Sequence, residues 1–513
     1  MQPSESQITF KILLAFFAMV VGMFMAILDI QIVASSLSVI AAGLAASGDE
    51  LSWIQTSYLI AEVIVIPITG FASRLLSTRV AYLIAASGFT IMSFFCSIAW
   101  NIESMILFRA FQGFFGGAMI PTTFGIIFVI FPKKWHNAVG MIIGLVVTVA
   151  PTIGPTLGGY ITELVSWHFM FLINIIPGIF VCVIVFLYAD FDKPNYKLLE
   201  NFDLYGMLLM IISLGSLQYI LEEGNTRGWF EDNQIFFLTI ITIVSFILLI
   251  YRELVFINPI VDLRTFQNKN FTFGCIYSFI LGVGLYGTVY LLPLFLFKVA
   301  GYNTLQIGIT MIITGLFQFV SAPLSAGMME KGVDRRIILM IGYSLFALGC
   351  YLNSFLTAES EYAAMFIPQM VRGLALMFCF MPINDLALGM IEKKDVPNAS
   401  GLYNLTRNLG GAVGLAIINS MIISKSKIFA DNLANNVPVN SSKAQEIMSL
   451  YENFLYGKVL DPSISSYDMI NKIIEREAFI IAINNVFVII AILFCIGIIL
   501  IPFSSATKEI EEV

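Results

Sequence analysis

The sequence predicts an all-α polytopic membrane protein, and three compositional observations support this fold class. The chain has 513 residues, of which 58% are hydrophobic and only 12% are charged, about half the charged share of an ordinary soluble domain. Its mean hydropathy is +0.88, more apolar surface than a soluble fold can hide from water. A spanning helix needs about 20 apolar residues, so the apolar content suffices for about fourteen spans. The same composition excludes a disordered chain, and the net charge of −7 provides no basic surface for nucleic acid.

Apolar windows separated by charged or turn-rich segments predict fourteen transmembrane helices. The first window follows Lys11 and could be a secretory signal. Its apolar stretch, Ile12 to Leu28, is long for a signal, so an uncleaved first span is favoured. The predicted spans cover residues 12–44, 53–72, 80–99, 105–130, 138–161, 169–188, 203–221, 234–251, 270–297, 305–327, 336–355, 362–388, 399–423 and 478–502.

Lysine and arginine are distributed unevenly between the two sides of the predicted bundle. The loops of one side, with the two terminal segments, carry sixteen of these residues, whereas the short loops of the other side carry only Arg227 and Lys298. Positive residues of short loops stay in the cytoplasm. The last loop on the second side, 424–477, carries six more, but long loops translocate regardless of charge. The sequence therefore places both termini in the cytoplasm.

An internal repeat predicts how the spans are grouped. Three segments of the first part of the chain have similar counterparts in the second part, in the same order. The two members of the first pair, and of the last pair, are 257 to 261 residues apart. We therefore expect an N-terminal six-helix bundle over 1–200, two inserted helices over 201–260, and a C-terminal six-helix bundle over 261–513 that includes the 424–477 loop. Two similar bundles with a site between them are typical of rocking transporters; a channel, more often built from several subunits, is the alternative. The matching segments are 70–79 and 327–336, Arg109–Pro121 and Arg372–Pro382, and 133–140 and 393–401.

Six charged residues interrupt the predicted spans well inside the bilayer, where each costs about 3 kcal/mol or more unless it is paired or hydrated. Burial favours the neutral form of a carboxylic acid and a neighbouring arginine favours the charged form, so an acid between these influences can load and release a proton. Arginine keeps its proton and acts as a fixed counter-charge. Asp29, Glu62 and Asp385 are therefore the candidate proton carriers, with Arg109 as partner; structural ion pairs are the alternative. The six residues are Asp29, Glu62, Arg109, Arg372, Asp385 and Arg407.

Glycines share a helix face with two of these arginines. Arg109 and Gly113 lie four residues apart in the fourth span, followed by Gly116 and Gly117, and this spacing places all four on one face. Arg407, with glycines at 410, 411 and 414, repeats the arrangement in the thirteenth span. Small residues at this spacing let helices approach closely. The sequence therefore predicts arginines that point into the bundle, with plain close packing as the alternative for the thirteenth span, and Arg372 and Arg407 are expected to position helices more than to touch substrate.

The fifth span contains two prolines and three glycines within residues 150–159. That composition would break a soluble helix, but neighbouring helices can stabilise it in a membrane bundle. We expect a kinked segment that acts as a close-contact hinge between spans. Its central residues are Gly154, Pro155, Gly158 and Gly159.

Several of these segments also form recognisable motifs. They are Leu28-Asp29-Ile30-Gln31-Ile32-Val33 in the first span, Arg109-Ala110-Phe111-Gln112-Gly113 in the fourth, Gly154-Pro155-Thr156-Leu157-Gly158-Gly159 in the fifth, and the segments 166–174 and 400–411. Together they resemble the major facilitator superfamily, and within it the fourteen-span drug:proton antiporters of the EmrB/QacA type. The resemblance implies the major facilitator fold, proton coupling through the fourth-span motif, and roles in the substrate cavity or in helix packing for Gln31 and Gln112.

The resemblance implies proton-driven efflux of small amphiphilic compounds, expected to be aromatic or cationic, across the bacterial inner membrane by alternating access. No cofactor or metal is expected beyond the proton gradient. A periplasmic adaptor and an outer-membrane channel are the implied partners, with the 424–477 loop as a contact; a solvated loop is the alternative. A dedicated exporter of a metabolite, siderophore or fatty acid remains open, as does a sensor that transports nothing. An enzyme is not expected, because no nucleophile–base set or phosphate loop is present.

The first loop between spans departs from the family pattern. Arg74 stands where the family usually has an acidic residue, and Ser77 stands where it usually has glycine. The usual charge contact of that loop is therefore not expected here.

Overall fold

The computed structural model describes residues 10–34, 36–46, 50, 52–200, 202–256, 259–435, 442–456 and 462–504. Within these ranges, fourteen helical spans are long and apolar enough to cross a membrane, which confirms the predicted all-α polytopic class. The sixth span consists of two consecutive helices, α7 and α8. The helices are α1 (Phe10–Ala34), α2 (Leu37–Gly43), α3 (Trp53–Leu76), α4 (Thr78–Ser97), α5 (Ile102–Ile130), α6 (Lys133–Leu164), α7 (His168–Leu172), α8 (Ile175–Tyr188), α9 (Leu204–Glu223), α10 (Asn233–Val255), α11 (Lys269–Lys298), α12 (Thr304–Glu330), α13 (Arg335–Asn353), α14 (Tyr362–Leu388), α15 (Val396–Asn435), α16 (Ser442–Leu455) and α17 (Pro462–Leu500).

Successive spans run in alternating directions, so the bundle has two faces. Because the number of spans is even, α1 begins and α17 ends at the same face. We call it the terminal face and the other the opposite face. The terminal segments, residues 1–9 and 505–513, lie outside the described residues, so the cytoplasmic location of the termini stays a prediction.

The helices form two six-span halves with an inserted pair. In the first half, α5 lies against α3 and α4, and α1 lies against α6 and α8. In the second half, α14 lies against α12 and α13, and α15 lies against α11 and α17. The inserted helices α9 and α10 pair with each other, and α9 contacts α3 and α15. The halves meet mainly where α6 lies along α12 and α3 lies along α15, while the residue boundaries at 200 and 260 stay a prediction.

The segment 424–477, predicted as a long loop, is largely helical where the structure describes it. Helix α15 continues to Asn435, α16 follows, and α17 begins at Pro462. With 40 residues, α15 is about 60 Å long, roughly twice the thickness of the hydrocarbon core. Residues 444–453, whose composition is compatible with a helix, lie in α16. The continuation of α15 and α17 was not predicted, because a hydropathy window detects where apolar residues end, and a helix can continue in water beyond that point. Residues 436–441 and 457–461 of this segment lie outside the described residues.

Two other helices differ from the prediction in their extent. The first predicted span, 12–44, is divided into α1 and the short helix α2. The fifth span is one helix, α6, from Lys133 to Leu164, with Pro151 and Pro155 inside it. The helix is therefore not broken at its prolines, because neighbouring helices support it on several sides, α1 and α12 most extensively.

Candidate functional site

A fully buried ion pair joins the first and fourth spans inside the first half. Arg109 of α5 donates from Nη1 to Oδ2 of Asp29 on α1, over 2.6 Å, and both side chains have no exposure to solvent. The pair was predicted from two charges in apolar helices, and the structure brings them together. A buried pair of this kind is retained only where further hydrogen bonds satisfy its remaining polar atoms.

Amide and hydroxyl groups from α5 itself and from two more helices provide most of those bonds, although Nη2 of Arg109 has no hydrogen-bond partner among the described residues. The other carboxylate oxygen of Asp29 accepts from Gln112 Nε2 at 3.1 Å and from Asn174 Nδ2 at 2.8 Å. Gln112 also accepts from Arg109 at 2.7 Å through its Oε1 and donates to Ser93 Oγ at 2.8 Å. Asn174 lies immediately before α8, and Ser93 lies on α4. The acid, its arginine and this amide network, which we call the coupling cluster, therefore connect α1, α4, α5 and α8.

Helix α3 closes the coupling cluster from a further side. The Arg109 guanidinium lies 4.2 Å from the ring centroid of Tyr58, and its Nε donates to the carbonyl oxygen of Ile54 at 3.2 Å. This approach requires Gly113, because a Cβ there would collide with the Tyr58 carbonyl oxygen. A Cβ at Gly117, one turn later, would lie 2.9 Å from Cγ of Glu62. The glycine face predicted for the fourth span therefore brings α3 and its acid against α5.

Glu62 lies between the two halves and outside the coupling cluster. Its side chain is buried, and its Oε1 accepts from Nδ2 of Asn408 on α15 at 3.3 Å. The sequence identified the acid but not this partner, which is a neutral side chain in the other half of the chain. A change in the charge of Glu62 therefore acts directly on a contact between α3 and α15.

Arg407 lies deep between the halves among aromatic rings. Its guanidinium carbon is 5.0 Å from the ring centroid of Phe124, 5.5 Å from that of Phe380 and 5.6 Å from that of Tyr403. One nitrogen donates to Asn404 Oδ1. The glycines that follow it in α15, at 410 and 414, pack against α11. The glycine face of α15 is therefore a site of close helix packing.

Arg372 forms a separate polar cluster inside the second half. Its Nη1 donates to Gln369 Oε1 at 2.7 Å, and Gln369 donates to Asn353 Oδ1 at 3.1 Å. Gly373, the next residue, approaches the carbonyl oxygen of Thr314 as Gly113 approaches that of Tyr58. Among the described residues, no acid lies within 4 Å of Arg372 to form an ion pair.

Asp385 does not join the coupling cluster. It lies in the last turn of α14 at the terminal face, where it accepts from Nε of Arg335 at 2.9 Å, and both side chains are partly exposed. Of the two positions that the sequence allows for Asp385, inside the span or close to its end, the structure has the second, because the helix ends three residues later, at Leu388.

The small residues of α6 lie against neighbouring helices. A Cβ at Gly154 would collide with the side chain of Gln31, which is half-buried on α1. Gly158 and Gly159 are buried and Pro155 is half-buried. Further along the same helix, Thr156 fills the space left by Gly308 of α12. This part of α6 therefore makes close contact with both halves.

Four residues of these sites were not predicted from the sequence. Asn174 was quoted only as part of a motif, although an amide in an apolar helix is a usable signal because it needs a buried partner. The others give weaker signals, since hydroxyls and amides are common in membrane helices. They are Ser93, Tyr58 and Asn408.

Comparisons with known proteins agree with this architecture. The family model described as Major Facilitator Superfamily matches residues 19–415. The chain is 44% identical over 407 residues to the colistin resistance protein EmrB of Acinetobacter baumannii, covering 79% of each chain. It is 28% identical over 471 residues to the multidrug export protein EmrB of Haemophilus influenzae, covering 92% of this chain and 91% of that one.

A solved structure shows the same fold. The proton:xylose symporter XylE superposes with a TM-score of 0.60 at 14% identity, covering 97% of this chain and 96% of that one. The motifs, the two halves and the match to the family model lead to one conclusion, which confirms the resemblance seen in the sequence: the chain belongs to the Major Facilitator Superfamily.

Proposed function

We propose that this protein exports small amphiphilic compounds across the inner membrane of a bacterium, driven by inward proton flow. The observation that carries the proposal is the buried Asp29–Arg109 pair with its amide network. The names of the relatives, a colistin resistance protein and a multidrug export protein, support export of drug-like compounds. Both termini are proposed to face the cytoplasm, which makes the opposite face periplasmic.

The hydrogen bonds of Asp29 explain how protonation would be linked to movement. As a carboxylate, Asp29 only accepts, and both of its oxygens are occupied by donors from α5 and α8. A protonated carboxyl is itself a donor at one oxygen. A neutral carboxyl is also a weaker acceptor than a carboxylate, so protonation weakens the hydrogen bonds that Asp29 accepts from Arg109 Nη1, Gln112 Nε2 and Asn174 Nδ2. Loading a proton on Asp29 therefore loosens α1 from α5 or from α8.

Glu62 is the second proposed proton-coupling residue because of its position between the halves. Protonation of Glu62 would weaken the bond from Asn408, since a neutral oxygen is a poorer acceptor than a charged one. This bond joins α3 to α15, so its loss favours separation of the halves on that side. Asp385 is no longer included in this role, because it pairs with Arg335 at the end of α14.

Alternating access requires the contact between the halves to open. In the structure, the rings of Phe124, Phe380 and Tyr403 fill the middle of this contact. Nearer the terminal face, a small crevice lies between α3, α5 and the start of α15. We propose that this crevice widens into the substrate entrance when the halves separate. Flat rings and flexible methionines suit a cavity that binds compounds of many shapes.

The remaining parts of the proposal concern partners and chemistry. The helices α15 and α17 extend beyond the hydrocarbon core at the opposite face, with α16 between them. We propose this helical extension, and not a loop, as the contact for a periplasmic adaptor leading to an outer-membrane channel. The protein is proposed to move its substrate unchanged, without enzymatic activity.

Transport by the purified protein in lipid vesicles tests the function. A fluorescent amphiphile is loaded into the vesicles and a pH gradient is imposed, and we expect gradient-driven movement of the amphiphile in one direction. The Asp29→Asn variant should retain exchange of substrate across the membrane without a gradient but lose the gradient-driven component. No movement of any compound in a broad panel by the unaltered protein contradicts transport itself.

A matched control separates coupling from the loss of a buried acid. The Asp385→Asn variant makes the same chemical change in a different ion pair and should keep gradient-driven transport within about twofold, because partly exposed pairs contribute little. If Asp29→Asn also retains gradient-driven transport, Asp29 does not couple proton flow to export.

A further inference from the structure

Arg372 is a buried cation in neutral surroundings. The residue lies inside the second half and is 1% exposed. Its Nη1 donates to Gln369 Oε1, whereas its Nε has no hydrogen-bond acceptor among the described residues. The thiol of Cys350 is the one ionisable group in the described part of the chain that interacts with its charge, and no carboxylate does so. A buried charge without a counter-charge is strongly destabilising, so an anion from outside the chain would stabilise Arg372.

The hydrogen bonds around Arg372 engage two amide oxygens and leave two donors unpaired within the described residues. Gln369 Oε1 accepts from Arg372 at 2.7 Å and from Thr314 at 3.3 Å. Its Nε2 is thereby directed to Asn353 and donates to Oδ1 of that residue at 3.1 Å. The other atom of the same amide, Nδ2 of Asn353, is buried without an acceptor in the ranges that the structure describes. Buried donors are paired in folded proteins, so Arg372 Nε and Asn353 Nδ2 indicate a bound acceptor.

The same arginine–glutamine pair binds a carboxylate in the first half. Arg109 and Gln112, one turn apart on α5, both donate to Asp29 of α1. Gln369 and Arg372 have the same spacing on α14, and the arginine donates to the glutamine at 2.7 Å in both halves. Among the described residues, only the first half provides an acid for this arrangement. An anion beside Arg372 would therefore give the second half the charge balance that Asp29 gives the first.

The two unpaired donors lie over the same face of α13. A Cβ at Gly349 would lie 2.6 Å from Cγ of Arg372, so this side chain passes over Gly349. Asn353 is four residues further along α13 and on the same helix face. Both donor residues, with Gln369 between them, are at most 1% exposed. A close-packed place of this kind admits a monatomic ion and excludes an amphiphile.

We propose that the second half binds a chloride ion at Nε of Arg372, with Nδ2 of Asn353 as a second donor. Chloride balances the guanidinium charge and accepts hydrogen bonds from several directions, which suits donors on two different helices. The ion joins α13 to α14 in the second half, as Asp29 joins α1 to α5 in the first. The inference does not depend on what the protein exports, because the site lies inside one half and not between the halves.

Thermal unfolding of the purified full-length protein tests the inference without any transport step. Sodium chloride replaces sodium gluconate stepwise at constant ionic strength, so that general screening by salt does not change. We expect the unfolding temperature to rise and then level off, by about 2 °C or more at a chloride concentration about tenfold above the dissociation constant. Sodium bromide should act in the same way, because bromide has the same charge and a similar radius. An unfolding temperature that is equal in gluconate and in chloride overturns the inference and assigns the two donors to buried water.

Two substitutions connect the chloride effect to this site. Arg372→Gln removes the buried charge and should abolish the rise in unfolding temperature. Asn353→Asp places a carboxylate in the cluster, as Asp29 does beside Arg109, so the chain then provides its own anion. This variant should be about as stable in gluconate as the unaltered protein is in chloride, and chloride should not stabilise it further.

A control variant separates this site from other arginines. Arg227→Gln makes the same chemical change at a partly exposed arginine near the opposite face and should keep the full rise with chloride. Asn353→Asp carries the comparison if Arg372→Gln does not fold, because it adds a charge beside Arg372 and keeps the size of the side chain. A rise with chloride that survives unchanged in either Arg372→Gln or Asn353→Asp places the ion elsewhere and overturns the inference.

Discussion

Arginine and glutamine exchange places between the two halves, because Arg109 corresponds to Gln369 and Arg372 corresponds to Gln112. The sequence Arg109-Ala110-Phe111-Gln112-Gly113 of α5 corresponds to Gln369-Met370-Val371-Arg372-Gly373 of α14, because the two glycines make the same contact with a carbonyl oxygen of the neighbouring helix. Each arginine donates from Nη1 to its glutamine at 2.7 Å. Only Arg109 has a carboxylate beside it. The repeat therefore supplies one half with an ion pair and the other with an arginine held by neutral side chains.

The Asp29–Arg109 pair should show strong coupling in stability measurements. Asp29→Asn leaves the Arg109 charge buried and uncompensated, and we expect a loss of about 3 kcal/mol or more. Adding Arg109→Gln removes that charge, so the double variant should be more stable than Asp29→Asn alone. Thermal unfolding of the purified variants in one detergent gives the order of stability. If the two substitutions are additive, the pair does not interact as the 2.6 Å contact indicates.

Charges in apolar helices allowed the coupling cluster to be predicted in part. Asp29 and Arg109 stand out because a charge inside the membrane is costly and needs a partner. The glycine at 113 indicated which face approaches a neighbour. Asn174 and Asn408 were missed because a neutral amide interrupts an apolar helix only slightly, and their partners come from distant parts of the chain. Contacts of that kind depend on how helices pack, which one sequence does not determine.

The extent of the helices was predicted less well than their number. Hydropathy gave all fourteen spans, because each has to cross an apolar layer of fixed thickness. It could not show that α15 continues to Asn435, since a helix in water is not marked by apolar residues. The sequence pairs Arg109 with Arg372 because the two residues are of the same type. The structure instead pairs Gly113 with Gly373, which make equivalent contacts with a backbone carbonyl, so the sequence alignment is shifted by three residues.

Gly113 should not tolerate a methyl group. In Gly113→Ala the new Cβ would meet the backbone carbonyl of Tyr58, which cannot rotate away as a side chain can. We expect a loss of about 1–3 kcal/mol, as for overpacked cores, measured as a lower unfolding temperature. Gly140→Ala is the matched control, because nothing lies within 4 Å of a Cβ built there, and it should be neutral or stabilising by up to about 1 kcal/mol. Equal effects of the two variants would contradict the close approach of α3 and α5.

Replacement of Ser77 with glycine should make the protein more stable. It is the single residue between α3 and α4, and its φ of 79° and ψ of 152° lie in a region that costs about 1–3 kcal/mol for a residue with a Cβ. Its cap bond from the N–H of Val80 is long, at 3.4 Å, and glycine caps cost only a few tenths of a kcal/mol. Ser77→Gly should therefore raise stability by about 1 kcal/mol. Ser52→Gly, at the start of α3 with a helical φ of −63°, should give no gain, and a gain at both positions would argue against backbone strain at Ser77.

Asp334 should stabilise the terminal face in a pH-dependent way. Burial raises the pKa of its carboxyl, but hydrogen bonds from the side chain and N–H of Arg336, with the charges of Arg336 and Arg335, outweigh burial and hold the pKa below its usual value. A lowered pKa means that the stabilisation is present above about pH 4, the unfolded value, and is lost as the pH falls through the folded pKa. Asp334→Asn keeps a good helix cap and removes only the charge. At pH 7 its stability, measured by thermal unfolding, should be slightly lower than that of the unaltered protein, by less than about 1 kcal/mol because the pair is partly exposed. The difference should shrink as the pH falls below about 4. A difference that stays constant from pH 7 down to the lowest pH at which the protein stays folded would show that the carboxylate charge is not its cause.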